Sequence, residues 1–216
     1  MAAKENAQKT IALLKKEYPN ATTALSYSNV FELLAATILS AQCTDKRVNM
    51  VTKALFKKYK KISDYASADI RALEQDIRST GFYRNKAKNI QGSARMVLSD
   101  FNGKVPDTMD ALMLLPGVAR KTANIVLTHG FGKVEGIAVD THVKRLSKRL
   151  GLTENTDPVK IEQDLMQIIP KADWGLVSDL LILHGRSVCI ASKPKCEVCV
   201  LNKFCPTAPL FLSGGK

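Results

Sequence analysis

Apolar residues recur along this chain at helical spacing, and nearly every segment between turn signals reads as helix. Residues 6–17 carry Ala7, Ile11 and Leu14 on one stripe and stop before Pro19-Asn20. Asn29 with Glu32 three positions on is an N-cap signature, and the run 31–39 that follows is apolar on almost every side. A helix of that kind belongs in the middle of a bundle. Further helices are predicted at 45–59, 67–78, 84–100, 107–114, 120–129, 141–150, 158–168 and 173–184, the Asp157-Pro158 pair marking a strong start. No strand pattern stands out, and no repeat is visible. The expected fold class is all-α.

Composition narrows the picture without overturning it. A chain of 216 residues that is 45% hydrophobic can bury a core and suits one or two domains. Only 6% of residues are aromatic, which favours helix-on-helix packing over a β-sandwich. The formal charge of +12 favours a polyanionic partner, because phosphate contacts release condensed counterions. Charge alone leaves a merely solvated surface open. Membrane is not expected as a partner, since no apolar run is long enough to span a bilayer. The N-terminal stretch has no apolar signal core, so an intracellular, cytoplasmic protein is expected. Lys144, Arg145, Lys148 and Arg149 share one face of the predicted helix 141–150, and Arg84, Lys86 and Lys88 recur near turn-forming residues.

Five cysteines in a reducing compartment do not read as disulfides. Cys43 stands alone and reads as a small buried or half-buried side chain. Cys189, Cys196, Cys199 and Cys205 are spaced Cys-x6-Cys-x2-Cys-x5-Cys, so four thiolates can wrap one compact centre. Structural zinc sites more often use two CxxC pairs, and this wider girdle suits an iron–sulfur cubane better. Spacing alone leaves zinc open. Lys193 and Lys195 flank Pro194 in the loop and either meet phosphates or keep the loop soluble.

The segment Leu114-Leu-Pro-Gly-Val-Ala-Arg-Lys-Thr-Ala123 lies between two predicted helices. A Pro-Gly hairpin there aims backbone N–H groups and a helix N-terminus outward, which suits a phosphate and reads no base. Lys121 falls in the first helical turn, beside Arg120 and at the positive end of the helix dipole. Both neighbours favour a nucleophilic amine, although an ordinary surface lysine is the plainer reading of the position alone. Asp140 in Val139-Asp140-Thr141-His142 is placed to N-cap the basic helix, and a capped carboxylate can also manage a proton or stabilise positive charge. His142 is either a helper there or an ordinary hydrogen-bonded histidine.

Taken together, Ser40-Ala-Gln42, Leu115-Pro-Gly-Val-Ala-Arg-Lys121-Thr-Ala123, Val139-Asp-Thr-His142, Leu183-His-Gly-Arg186 and the four-cysteine loop follow the order seen in endonuclease III. The chain resembles that family from about residue 6 to Cys205. The resemblance implies a helix-hairpin-helix DNA glycosylase fold. A six-helix domain at 24–134, with the helix-hairpin-helix motif at 107–130, would interrupt a discontinuous domain of 1–23 and 135–216. That second domain would carry a [4Fe–4S] cluster on Cys189, Cys196, Cys199 and Cys205 in the loop 189–205. DNA would cross the junction, with Lys121 and Asp140 facing each other over the cleft. A damaged nucleotide would flip out of the duplex. Lys121 would attack C1′ and expel the base, Asp140 would assist deprotonation and stabilise the cationic sugar, and β-elimination from the Schiff base would cut 3′ to the lesion. Gln42 would fill the vacated space, and Gly117, Ala119, Arg120, His142, Lys193 and Lys195 would contact DNA. Oxidised or ring-saturated pyrimidines and abasic sites in double-stranded DNA are the substrates implied.

Two positions depart from the family pattern. The hairpin usually reads Gly-Val-Gly, so the methyl of Ala119 is expected to bear on the local backbone or on phosphate approach. Phe82 stands where relatives often have a leucine wedge and can still intercalate, with an altered preference for the opposite base. A monofunctional mismatch glycosylase of the superfamily is the near alternative. It usually has another residue in place of Lys121, and the adenine-specific kind adds a large domain after the cluster, whereas this sequence stops soon after Cys205. The 8-oxoguanine branch keeps the lysine but typically lacks the cluster. A non-catalytic iron–sulfur redox sensor that binds DNA would need no Lys121–Asp140 pair. A nucleoid-associated monomer without an obligate protein partner is expected.

Overall fold

The computed structural model describes residues 2–212, which form helices and turns with no strand among them. The all-α expectation holds. The chain divides into two compact units. One comprises Ala24–Glu135, and the other joins the residues up to Thr23 with those from Gly136 onward.

In the unit Ala24–Glu135, helix α2 (Val30–Leu39) is the central rod, with every residue from Leu33 to Leu39 buried. The Asn29 side chain accepts from the Glu32 amide, fixing its start. The Glu32 carboxylate reaches back to the amide and hydroxyl of Ser28 instead of closing a box on Asn29. Around α2 pack α3 (Asp45–Lys58), α6 (Tyr83–Ser99) and α8 (Arg120–Phe131), and α6 in turn carries α4 (Ile62–Ser67) and α5 (Ile70–Asp76). The rings of Phe31, Tyr65 and Tyr59 stack in sequence at 5.2 and 5.0 Å. Full burial of each leucine in this core is worth about 1.5–3 kcal/mol. A short α7 (Met109–Met113) leads into the turn before α8.

The predicted helix 67–78 is shorter in the structure, where α5 covers only Ile70–Asp76; α4 precedes it over Ile62–Ser67, which periodicity did not reveal, and the two are separated at Ala68-Asp69. Asp69 caps α5 by accepting from the Ala72 amide at 2.8 Å, and Ala68 is extended at ψ 143°. A carboxylate that prefers to cap wins over continued periodicity.

The other unit is assembled from both ends of the chain. Helix α1 (Ala2–Glu17) buries Ala7, Ile11 and Leu14 with Leu180 and Leu181 of α11 (Trp174–Ser187) and Leu146 of α9 (Thr141–Arg149). Helix α10 (Pro158–Ile168) starts where Asp157 caps it, with Pro158 in the first turn. Helix α12 (Ala208–Leu212), which periodicity did not reveal, follows the last cysteine. No helix of the described residues is long and apolar enough to cross a membrane.

Candidate functional site

The hairpin of the unit Ala24–Glu135 runs from α7 through Pro116-Gly117 into α8. Gly117 has φ +77°, and a Cβ there would lie 2.5 Å from the Asn89 side-chain nitrogen. Only glycine meets both demands. Ser93 on α6 donates to the Pro116 carbonyl at 2.9 Å and anchors the turn. Ala119 is the N-cap residue of α8 with φ −96° and ψ 171°, ordinary extended backbone. The methyl that replaces the family's glycine hydrogen therefore imposes no backbone strain, and of the two effects expected of Ala119 the one on the local backbone is corrected. Ala119 supplies no side-chain cap to the first turn of α8. Lys121 is exposed in this turn and Arg120 is half-buried. Gly117→Ala is expected to cost about 1–3 kcal/mol in urea denaturation, whereas Ala119→Gly leaves the hairpin as it is.

Gln42 and Phe82 lie on two other turns of the same unit. Both occupy the left-handed region, at φ 51° and 47°, which non-glycine residues rarely adopt. Phe82 is 65% exposed, and Gln42 is also exposed. Arg84 and Lys88 point to solvent, but Lys86 does not belong with them. It is buried, and its ammonium donates to the carbonyls of Leu39 and Thr80.

In the other unit, Asp140 caps α9: its Oδ1 accepts from the amides of His142 and Val143, each at 2.8 Å. The His142 ring stands 3.2 Å from Arg145 Nη2. Burial lowers the His142 pKa, against the pull of Asp140 and of a hydrogen bond to the Gly185 backbone, with Arg145 and Arg186 reinforcing the shift.

The basic face expected on α9 splits in two. Lys144 and Lys148 are exposed, but Arg145 and Arg149 turn to the cysteine loop. Arg145 donates to the carbonyls of Gly185 and Cys189 at 2.9 and 3.0 Å. Arg149 donates to Cys189 Sγ at 3.3 Å and to the carbonyls of Ile190 and Ala191. The close approach of α9 and α11 that this requires depends on Gly185, where a Cβ would stand 3.0 Å from both Arg145 and His142.

The four cysteines of the loop line one cavity together with Arg149 and His184. Four thiols around one cavity form a donor set that fits a multi-iron group, and the Arg149 cation at Cys189 Sγ would offset part of its negative charge. Burial pushes Cys199 up to about 11, so loading must displace a proton there. His184 is buried and held down to about 4 by desolvation, with Nε2 3.3 Å from Cys199 Sγ and Nδ1 3.1 Å from the Tyr18 hydroxyl. Once Cys199 is a thiolate it can only accept, so Nε2 carries the proton and Tyr18 donates to Nδ1. Sequence inspection missed Tyr18, and it found His184 only as part of a motif. Lys193 and Lys195 are exposed on the same loop.

A family model for the HhH-GPD superfamily of base excision DNA repair proteins matches residues 35–171, and one for the iron–sulfur binding domain of endonuclease III matches residues 189–205. The sequence is 56% identical to endonuclease III of Synechocystis sp. over 95% of this chain and 94% of that relative. It is 51% identical to endonuclease III of Bacillus subtilis over 87% of this chain and 86% of that one. Among solved structures, a non-covalent endonuclease III–DNA complex superposes with a TM-score of 0.93 at 46% identity, covering 97% of this chain and 98% of that one. A trapped endonuclease III–DNA covalent intermediate superposes at 0.91 with 47% identity, covering 95% and 96%.

Proposed function

This chain belongs to the endonuclease III family, and we propose that Lys121 is its nucleophile, with Asp140 managing charge and protons at the same reaction. The protein is accordingly a bifunctional DNA glycosylase and AP lyase of base excision repair, and its cofactor is a [4Fe–4S] cluster. The observation that carries the residue assignment is Lys121 itself, an exposed amine in the first turn of a helix whose amides have no side-chain cap.

The Lys121 amine attacks C1′ of a nucleotide flipped from the duplex, and the glycosidic C–N bond breaks with its electron pair leaving on the base. Asp140 accepts the proton that the attacking amine sheds and stabilises the cationic sugar. The amine linkage opens to a Schiff base, loss of a C2′ proton follows, and the C3′–O bond breaks to release the 3′ strand. Gln42 and Phe82 enter the duplex where the nucleotide has left. Gly117, Ala119 and Arg120 hold a phosphate at the hairpin, and His142, Lys193 and Lys195 add contacts to DNA. Cys189, Cys196, Cys199 and Cys205 hold the cluster, which when bound cross-links the loop carrying the two lysines. Oxidised and ring-saturated pyrimidines and abasic sites are the substrates. Both reacting side chains lie in one chain, which supports a monomer, and the charge of +12 supports work on nucleoid DNA.

Borohydride reduction during incubation with thymine-glycol or abasic duplex tests this reading. A covalent protein–DNA adduct is expected from both substrates; base release with no trapped species would instead mark a monofunctional enzyme. Asp140→Asn separates two duties of one side chain. Asparagine caps a helix about as well as aspartate, so the thermal midpoint should stay within about a degree or two of wild type. The glycosylase rate, measured in single turnover, should nevertheless fall by about 100-fold or more. Equal rates would leave Asp140 as a cap only.

A further inference from the structure

One buried lysine joins the two turns that carry Gln42 and Phe82. Lys86, in the first turns of α6, is 4% exposed. Its Nζ donates at 2.8 Å to the carbonyl of Leu39, the last residue of α2. It donates at 2.8 Å to the carbonyl of Thr80, the last residue of the 3-10 turn Arg78–Thr80. Each carbonyl ends a helical segment and has no following turn to satisfy it. The aligned peptide dipoles favour a cation at such an end, and this ammonium serves two ends at once. Gln42 follows closely on Leu39, and Phe82 on Thr80.

Burying an ammonium is costly, and desolvation lowers the Lys86 pKa against the opposing influence of the nearby Cys43 thiol. An apolar side chain would fill the same space without that cost but would leave two buried carbonyls unpaired. The turns it joins are strained at the residues that matter. Left-handed backbone at non-glycine positions persists only where surrounding structure over-determines it.

We propose that Lys86 is a positioning residue for the DNA wedge: by holding the carbonyls of Leu39 and Thr80 on one ammonium, it sets the spacing of Gln42 and Phe82 before DNA is met. This rests on the reading of Gln42 and Phe82 as residues that enter the duplex. Ordering the two prongs in advance removes that entropic cost from the opening of the duplex. Lys86 itself touches neither DNA nor the reacting sugar.

The test uses the cluster-loaded enzyme and Lys86→Met, which keeps length and apolar bulk but has no donor. Single-turnover release of thymine glycol from duplex is expected to fall about 100-fold, while borohydride trapping on single-stranded abasic DNA stays within about twofold of wild type. Gln42→Ala and Phe82→Ala should each slow duplex excision alone, and slow it no further when added to Lys86→Met. Should the two prong variants leave duplex excision unchanged, the wedge reading fails, whatever Lys86 does. Should they slow it while Lys86→Met does not, or keep their full effect in the Lys86→Met background, the wedge stands and the role of Lys86 is overturned. Equal losses on duplex and single strand would make Lys86 merely structural and also overturn the proposal. If Lys86→Met does not fold, amide exchange in the wild-type protein decides. The Cys43 and Gly81 amides, one in each turn, should exchange slowly together, and rapid exchange of either would sink the idea.

Discussion

Lys121→Ala is expected to abolish the borohydride adduct on abasic DNA entirely while leaving duplex affinity within a few-fold of wild type. The adduct needs a primary amine at C1′, and no neighbouring side chain of the hairpin offers one. Lys121 is exposed at the start of α8, so truncating it opens no cavity. Removing a cation from the positive end of a helix is even slightly favourable, by about 0.3–1 kcal/mol. The variant should therefore melt at or above the wild-type temperature, and the loss of trapping cannot be ascribed to unfolding. Gel-resolved trapping beside a duplex-binding isotherm makes the comparison. An adduct persisting in Lys121→Ala would assign the chemistry to another amine.

The second large effect is expected at the other end of the chain. Cys199→Ser should purify without iron or acid-labile sulfide, and its loop should be cut by trypsin after Lys195 where the wild type resists. Cys199, Phe204 and Cys205 pack only partly buried against the core that Leu201 enters fully. The loop is otherwise held by a few polar contacts, among them Asn202 to the Cys196 carbonyl and the clamp of Arg145 and Arg149. Metal-centred cross-links in loops of this size contribute about 10 kcal/mol or more. That exceeds what a handful of part-buried hydrogen bonds supply. With Lys193 and Lys195 no longer presented, the slope of log affinity against log salt should shrink by about 2. An unchanged slope would mean that these lysines only keep the loop soluble.

Local signals in this chain were legible where the physics is local. The apolar run after Asn29 became the buried rod α2, Asp157-Pro158 started α10, and the Pro116-Gly117 turn joined α7 to α8. The start of α5 was placed too early and α4 was missed because capping by Asp69 competes with continued periodicity, and short apolar patterns do not reveal which wins. Arg145 and Arg149 share a helix face with Lys144 and Lys148 in any helical wheel. Their destination is nonetheless set by carbonyls of the loop beginning at Cys189, more than forty residues away. Lys86 looked like one more surface cation for the same reason. Its partners, Leu39 and Thr80, come from two separate segments and exist as a pair only in the folded unit. The Ala119 departure was visible, but whether a methyl is tolerated depends on its φ, which no residue pattern prints.

The left-handed backbone at Gln42 and Phe82 also constrains how this enzyme can change over evolutionary time. A residue branched at Cβ is a severe misfit at such a φ, while unbranched, aromatic and amide side chains are less penalised. Mutational drift at position 82 can thus pass between phenylalanine, leucine, methionine or tyrosine at little cost. A step to valine, isoleucine or threonine would first have to dismantle the turn. The neighbourhood of accessible variants is consequently rich in long, flexible or flat side chains and poor in compact ones, which under the proposed wedge role channels change toward residues able to reach deep into a base stack.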